Sequence, residues 1–182
     1  VHDNRLTAHQ PRPLSTSSKT SLALAMIEPD RPHNFGGALR LAACLGIELH
    51  LVEPAGFPLS DRRIREGALD YARQAAWFRH PSFAPLDTLA SSADRRLLLL
   101  TTKASRSFAD FTYRPGDILM LGSESRGAPD WAHARAEARL HIPMRQGIRS
   151  LNVLSAATIV LSEAMRQTGA FAMLQTKAGE DE

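Results

Sequence analysis

Three short stretches of this 182-residue chain combine glycine with side chains able to do chemistry: PDRPHNFGGALR (29–40), LGSESRGAP (121–129) and IPMRQGIRSLN (142–152). They supply Asn34 and Arg40, then Glu124, then Ser150 and Asn152. Serine and asparagine give neutral donors and acceptors, and arginine gives a rigid fork of donors. Glycine lets backbone approach a ligand and turn through positive φ. Arg40 lies in ALRLAAC, on an otherwise apolar helical face. A buried or half-buried guanidinium there needs phosphate or a carboxylate, and Glu124 is a candidate for a plain salt bridge. Glu124 could equally pair with Arg126. Asn34, Ser150 and Asn152 also stand where turns and helix starts use such residues as caps.

Several chemistries are excluded. There is no G-x-x-x-x-G-K-[ST] to cradle a nucleotide's phosphates, and no G-x-G-x-x-G after the first apolar run. His-x-x-x-His pairs and acidic clusters are missing, so no metal site is expected. Gly122-Ser123-Glu124-Ser125-Arg126-Gly127 has the wrong spacing for a nucleophile elbow.

The elements that must position these groups alternate along the chain. Apolar runs at 22–29, 48–54, 95–103, 116–124 and 138–144 are expected strands, with a short edge strand at 76–82. Helical spacing marks 36–46, 86–93, 128–138 and 152–169, the first and last closed by glycine. A basic helical stretch covers 61–75 and is expected to break at Gly67. Strands alternating with helices predict an α/β domain with a mostly parallel sheet. The three chemical stretches then follow strand ends, where open α/β sheets bind ligands.

Size and composition fit one soluble domain. The hydrophobic fraction is 43%, the charged fraction 23% and the net charge +3, a mild bias that permits an acidic partner. Cys44 is the single cysteine, so an intrachain disulfide is excluded and a reducing, cytoplasmic location is expected. In LRLAACLG it is expected to be a small core residue. Residues 1–20 are polar, rich in Pro, Ser and Thr, and lack the apolar stretch of a secretory signal. They are expected to be a disordered tail before a domain at 21–170, with a second tail at 171–182.

From about Leu22 to Gly169 the chain resembles the SPOUT, or α/β-knot, RNA methyltransferases. It is most similar to the small tRNA (cytidine(34)-2'-O)-methyltransferases of that class. The resemblance rests on Asn34-Phe35-Gly36 with Arg40, on Gly122 to Gly127, and on Ile142-Pro143-Met144 followed by Ser150-Leu151-Asn152 and a long apolar helix. Val52-Glu53-Pro54, Gly56-Phe57, Ala68-Leu69-Asp70-Tyr71 and Leu100-Thr101-Thr102-Lys103 add to it. Gly37 departs from the second asparagine many such sequences carry there.

The resemblance implies a C-terminal trefoil knot, with S-adenosylmethionine bent among the knot loops. It implies that Leu100, Thr101, Gly122, Ile142, Met144, Ser150 and Leu151 hold that cofactor, the apolar ones sandwiching the adenine. Arg40, Asn34, Glu124, Ser150 and Asn152 would form the reaction site. The implied activity is 2'-O-methylation of the ribose of tRNA nucleotide 34. Another RNA ribose, or a catalytically silent RNA-binding protein on the same fold, are the alternatives. Family members are dimers whose site uses both subunits. The last helix agrees, since Val153, Ala157, Val160 and Ala164 form one apolar stripe and Leu154, Ile159, Leu161 and Met165 spread round the rest. Arg62, Arg63 and Arg65, with Arg145 and Arg149, are the expected contacts to RNA phosphates.

Overall fold

The computed structural model describes residues 21–174. The tail expected at 1–20 and residues 175–182 lie outside them. Seven strands form one sheet: β1 (Ala23–Ile27), β2 (Glu48–Val52), β3 (Trp77–His80), β4 (Leu97–Leu100), β5 (Arg106–Ser107), β6 (Ile118–Leu121) and β7 (Ala138–His141). Their order is β3-β2-β1-β6-β4-β7-β5, and every neighbouring pair is parallel. Five helices flank it: α1 (Pro32–Leu45), α2 (Arg62–Ala68), α3 (Phe83–Ser92), α4 (Asp130–Arg135) and α5 (Val153–Thr168). The expected α/β class with a parallel sheet is the fold observed.

The strand sequences explain the layering. β1, β2 and β6 are buried at every position, as strands covered on both faces must be. Alternate residues divide between two cores. Leu24, Met26, Leu49, Leu51, Leu119 and Leu121 face α1, α2 and α5. Ala23, Ala25, Ile27, Leu97, Leu99, Ile118 and Met120 face Leu86 and Ala90 of α3 and Trp131 of α4. Phe35 anchors the larger core, with its ring edge-on to Trp77 at 5.6 Å. Where α1 crosses α2 the backbones nearly touch. A Cβ at Gly36 would lie 2.3 Å from the Ile64 carbonyl oxygen.

Several boundaries differ from expectation. α1 begins at Pro32, not Gly36, because proline suits a first helical position whose N–H would be unpaired anyway. The basic stretch breaks at Leu69, with φ 51°, and continues as a 3-10 turn to Arg73. Gly67 stays helical, pressed close to the His33 carbonyl. α3 starts three residues early, while α4 covers only part of 128–138. The apolar run 95–103 yields a strand at 97–100 alone. Arg95 turns instead to Glu48, at 2.8 Å, and Arg96 to Asp117, at 2.7 Å. Cys44 is exposed on α1, not in the core. At the start of the tail expected at 171–182, residues 170–173 form a 3-10 turn, and Ala170 and Leu174 pack on the larger core. Among the described residues no helix is long and apolar enough to cross a membrane.

The sheet also buries two histidines. His50 Nδ1 lies 2.9 Å from His80 Nε2, and His50 Nε2 is 3.7 Å from the Glu48 carboxylate. Burial pushes the His50 imidazole below its usual range despite Glu48, and burial with the nearby His50 pushes His80 down to about 4. Between roughly pH 6.5 and that value the unfolded chain binds more protons than the native one. The stabilisation is therefore whole above about pH 6.5 and is lost as pH falls through the window, with a slope of at most about 1.4 kcal/mol per pH unit for each histidine. Urea midpoints measured from pH 7 down to pH 5 should fall, and His80→Gln should flatten that fall.

Candidate active site

Four loops meet above the carboxyl ends of β1, β6, β4 and β7. The chain runs outward from β1 through β2 to β3, then returns to place β6 between β1 and β4. Such a reversal leaves a crevice between loops that diverge. Here it is a cavity of about 780 Å³. That lies within the range of small-molecule sites.

The first stretch reaches the cavity through Arg31, His33 and Asn34. Asn34 is buried inside the first turn of α1, so it is not the cap of that helix; Arg31 takes that position. The second stretch is a closed loop, in which the Ser123 N–H donates to the Gly127 carbonyl at 3.1 Å and the Gly127 N–H donates back at 2.8 Å. Gly127 turns it at φ 75°. Gly122 is required for a reason other than ligand approach. A Cβ there would sit 2.2 Å from the Ala128 nitrogen. The third stretch turns at Gly147, φ 86°, and brings Ile142, Met144, Ser150, Leu151 and Asn152 to the cavity wall. Leu100 and Thr101 close it from the end of β4.

One string of side chains joins the three stretches. Asn34 Nδ2 donates to Glu124 Oε1 at 2.8 Å, and Asn152 Nδ2 donates to Asn34 Oδ1 at 3.3 Å. Asn152 Oδ1 caps α5, accepting from the Leu154 N–H at 2.9 Å and the Ser155 N–H at 3.4 Å. The capping role foreseen for Asn152 holds, and the same amide also enters the string. Burial pushes the Glu124 carboxyl above its usual range, with a contribution from Asp30, against the donation from Asn34.

The residues expected at the cofactor all line the cavity: Leu100, Thr101, Gly122, Ile142, Met144, Ser150 and Leu151. Of the expected reaction residues, Asn34, Glu124, Ser150 and Asn152 come together there, and Arg40 does not. Arg40 is exposed on α1, and its guanidinium sits 5.5 Å from the centre of the Tyr71 ring. The 3-10 turn after Leu69 brings that ring under it. The salt bridge to Glu124 is not formed, and Arg126 lies instead 3.8 Å from Glu28. Of the basic residues, Arg149 lines the cavity, Arg62 is tied to Glu66 and Arg63 to Asp61.

Sequence reasoning missed Asp30, whose backbone N–H donates to Glu124 Oε2 at 3.2 Å. It also missed Arg31, His33, Lys103 and His133 in the lining. Asp30, Arg31 and His33 fall inside the first stretch, so a charge scan of that loop would have found them.

The chain belongs to the SpoU rRNA Methylase family, whose model matches residues 21–162. A relative from Beijerinckia indica, named tRNA (cytidine(34)-2'-O)-methyltransferase, is 53% identical over 82% of this chain and 93% of its own. One of the same name from Escherichia coli K12 is 38% identical over 81% of this chain and 94% of its own. A solved structure described as "Structural insights into the 2-OH methylation of C/U34 on tRNA" superposes with a TM-score of 0.77 at 36% identity, covering 82% of this chain and 97% of that one. The methyltransferase AviRb from Streptomyces viridochromogenes, solved with AdoMet, shares the fold with a TM-score of 0.76 at 23% identity, over 81% of this chain and 60% of that one.

Because Asn152 caps α5 through one amide atom and meets Asn34 through the other, the two roles are separable. Asn152→Ala should cost about 1 kcal/mol in urea unfolding. Asn152→Asp keeps the capping oxygen, so its stability should return close to that of the parent.

Proposed function

We propose that this chain is a tRNA (cytidine(34)-2'-O)-methyltransferase that uses S-adenosylmethionine. The observation that carries the reading is the Glu124–Asn34–Asn152 string, which joins all three chemical stretches on one wall of a cavity at the sheet's reversal. The relatives' shared name and their near-complete coverage support the tRNA ribose over another RNA. The trefoil knot belongs to the same proposal.

The cavity suits the cofactor. It is large enough, and Leu100, Ile142, Met144 and Leu151 give it an apolar wall beside the polar loops. Those four side chains would take the faces of an adenine, and backbone groups of residues 122–127 and 142–151 its edge. When bound, S-adenosylmethionine supplies an electrophilic methyl group, so the protein must orient one ribose and manage one proton. Ser150 and the Asn34–Asn152 amides would hold the ribose hydroxyl, while Glu124 fixes the amide of Asn34. Arg40 would orient the neighbouring phosphate and stabilise charge forming on the ribose oxygen. It is no general base, since guanidinium keeps its proton to above pH ~12. Arg149, and more weakly the exposed Arg62, Arg63 and Arg65, would meet other phosphates.

Arg40 lies outside the cavity lining, so it would reach a ribose at the site of a second copy of the chain. The surface of α5 supports such a dimer. Ile159 is 39% exposed on that helix, a large apolar side chain that the described chain leaves uncovered. Light scattering at micromolar concentration should give twice the chain mass. Ile159→Asp should give a folded monomer; a parent protein that is already monomeric would overturn the dimer.

Calorimetry should show binding of S-adenosylmethionine by the purified protein, and single-turnover assays should show one methyl group transferred to nucleotide 34 of a tRNA. Arg40→Ala should keep cofactor binding and lose ~10²–10³ in transfer rate. Near-normal transfer by that variant at saturating tRNA would remove Arg40 from the reaction. Tight tRNA binding with no methylation of any tRNA would favour a silent RNA-binding protein instead.

A further inference from the structure

Tyr71 has no task in the site as described, although it ends one of the stretches on which the family resemblance rests, Ala68-Leu69-Asp70-Tyr71. Its half-buried ring lies under the exposed Arg40 guanidinium, whose central carbon is 5.5 Å from the ring centre. The backbone is bent to put the ring there. Leu69 sits at φ 51° and ψ −137°, a strained region for a residue with a side chain. That side chain is 54% exposed, so its own burial does not account for the bend. The bend instead turns the end of α2 into the 3-10 turn that carries Tyr71. The turn is held firmly. Ala68 and Ala75 are buried on either side, and the Gln74 and Ala75 N–H groups donate to the Tyr71 carbonyl at 2.9 and 3.0 Å. Gly36 and Gly67 let α1 and α2 press together, which fixes the turn against the helix that bears Arg40.

The kind of partner matters as much as its presence. Among the described residues Arg40 forms no hydrogen bond or ion pair. Nearby acids on α2 are already engaged, Glu66 by Arg62 and Asp61 by Arg63, both at 2.7 Å. A carboxylate partner would fill the in-plane fork of a guanidinium and cancel its charge. An aromatic ring attracts the same cation through its face and leaves the donors at the edge open. Among the described residues the Tyr71 hydroxyl has no hydrogen bond either, so the ring is the part in use. We propose, resting on the methyltransferase reading above, that Tyr71 is a positioning residue: its ring holds Arg40 by one face and leaves the N–H fork free for an RNA phosphate at the site of the second copy.

The pair can be seen without tRNA or turnover. In assigned proton NMR spectra of the purified protein, the ring current of Tyr71 should shift the Arg40 side-chain signals upfield. Tyr71→Phe should keep that shift and Tyr71→Leu should abolish it. In single-turnover transfer at saturating tRNA, Tyr71→Leu should lose on the order of 10-fold, the cost of releasing an arginine's rotamers, with unchanged cofactor affinity. Tyr71→Phe should transfer at the parent rate. In an Arg40→Ala background Tyr71→Leu should cost nothing further, because the ring acts only through the guanidinium.

A Tyr71→Leu loss that persists without Arg40 would mark a merely structural residue and overturn the proposal. So would a Tyr71→Phe protein as slow as Tyr71→Leu, or a parent protein without the upfield shift. An active parent whose Tyr71→Leu variant transfers at full rate removes Tyr71 alone and leaves the methyltransferase reading intact. A parent that methylates no tRNA overturns that reading, and the role of Tyr71 with it. The shift is read on the parent and on Tyr71→Phe, so it decides the pair even if Tyr71→Leu fails to fold.

Discussion

The site depends on the donation from Asn34 to Glu124. It is a bond between a neutral amide on α1 and a carboxyl that burial discourages from ionising. A charge-assisted bond to arginine would be stronger in isolation, but it would demand more compensation for leaving water. An amide can also pass the contact on. Asn34 uses its nitrogen toward Glu124 and its oxygen toward Asn152, so one residue fixes two loops. Arginine, a donor only, could not do this.

The sheet makes that bond possible. β1 and β6 are neighbours in register, Met26 opposite Leu121, so the loops that follow them leave the sheet side by side. Strands buried on both faces cannot slip by one residue without turning their side chains into the wrong core. The rigidity that keeps Asn34 and Glu124 within 2.8 Å is therefore a property of the leucine-rich strands beneath. Gly36 and Gly122 serve the same end from opposite sides. One lets α1 settle on α2, and the other lets the loop after β6 fold back on itself.

How much of this was legible in the sequence depended on range. Short apolar runs and glycine stops revealed the central strands, α1 and α5, because those signals are local. Two-residue β5 has no apolar pattern to betray it. The three chemical stretches were legible as glycine-bearing polar loops, and ten of the eleven residues singled out for the site line the cavity. Arg40 was expected on a covered face because its helix looks apolar by spacing; it is exposed instead, over Tyr71, beyond a break in the next helix. Cys44 was misjudged for the same reason: periodicity identifies a helix more surely than it identifies the covered side. Asp30 was overlooked because its meaning lies with Glu124, 94 residues away.

Those separations bear on how the protein comes into being. Asn34 lies 90 residues before Glu124 and 118 before Asn152. During synthesis the first loop leaves the ribosome long before its partners exist. β6 must later enter between β1 and β4, both made earlier, so the edge of β1 has to wait open for it. Domains dominated by such distant pairings fold slowly, since chain closure precedes the contacts that reward it. A nascent chain that ends before Ser150 lacks Asn152, and with it the last link of the string that starts at Glu124.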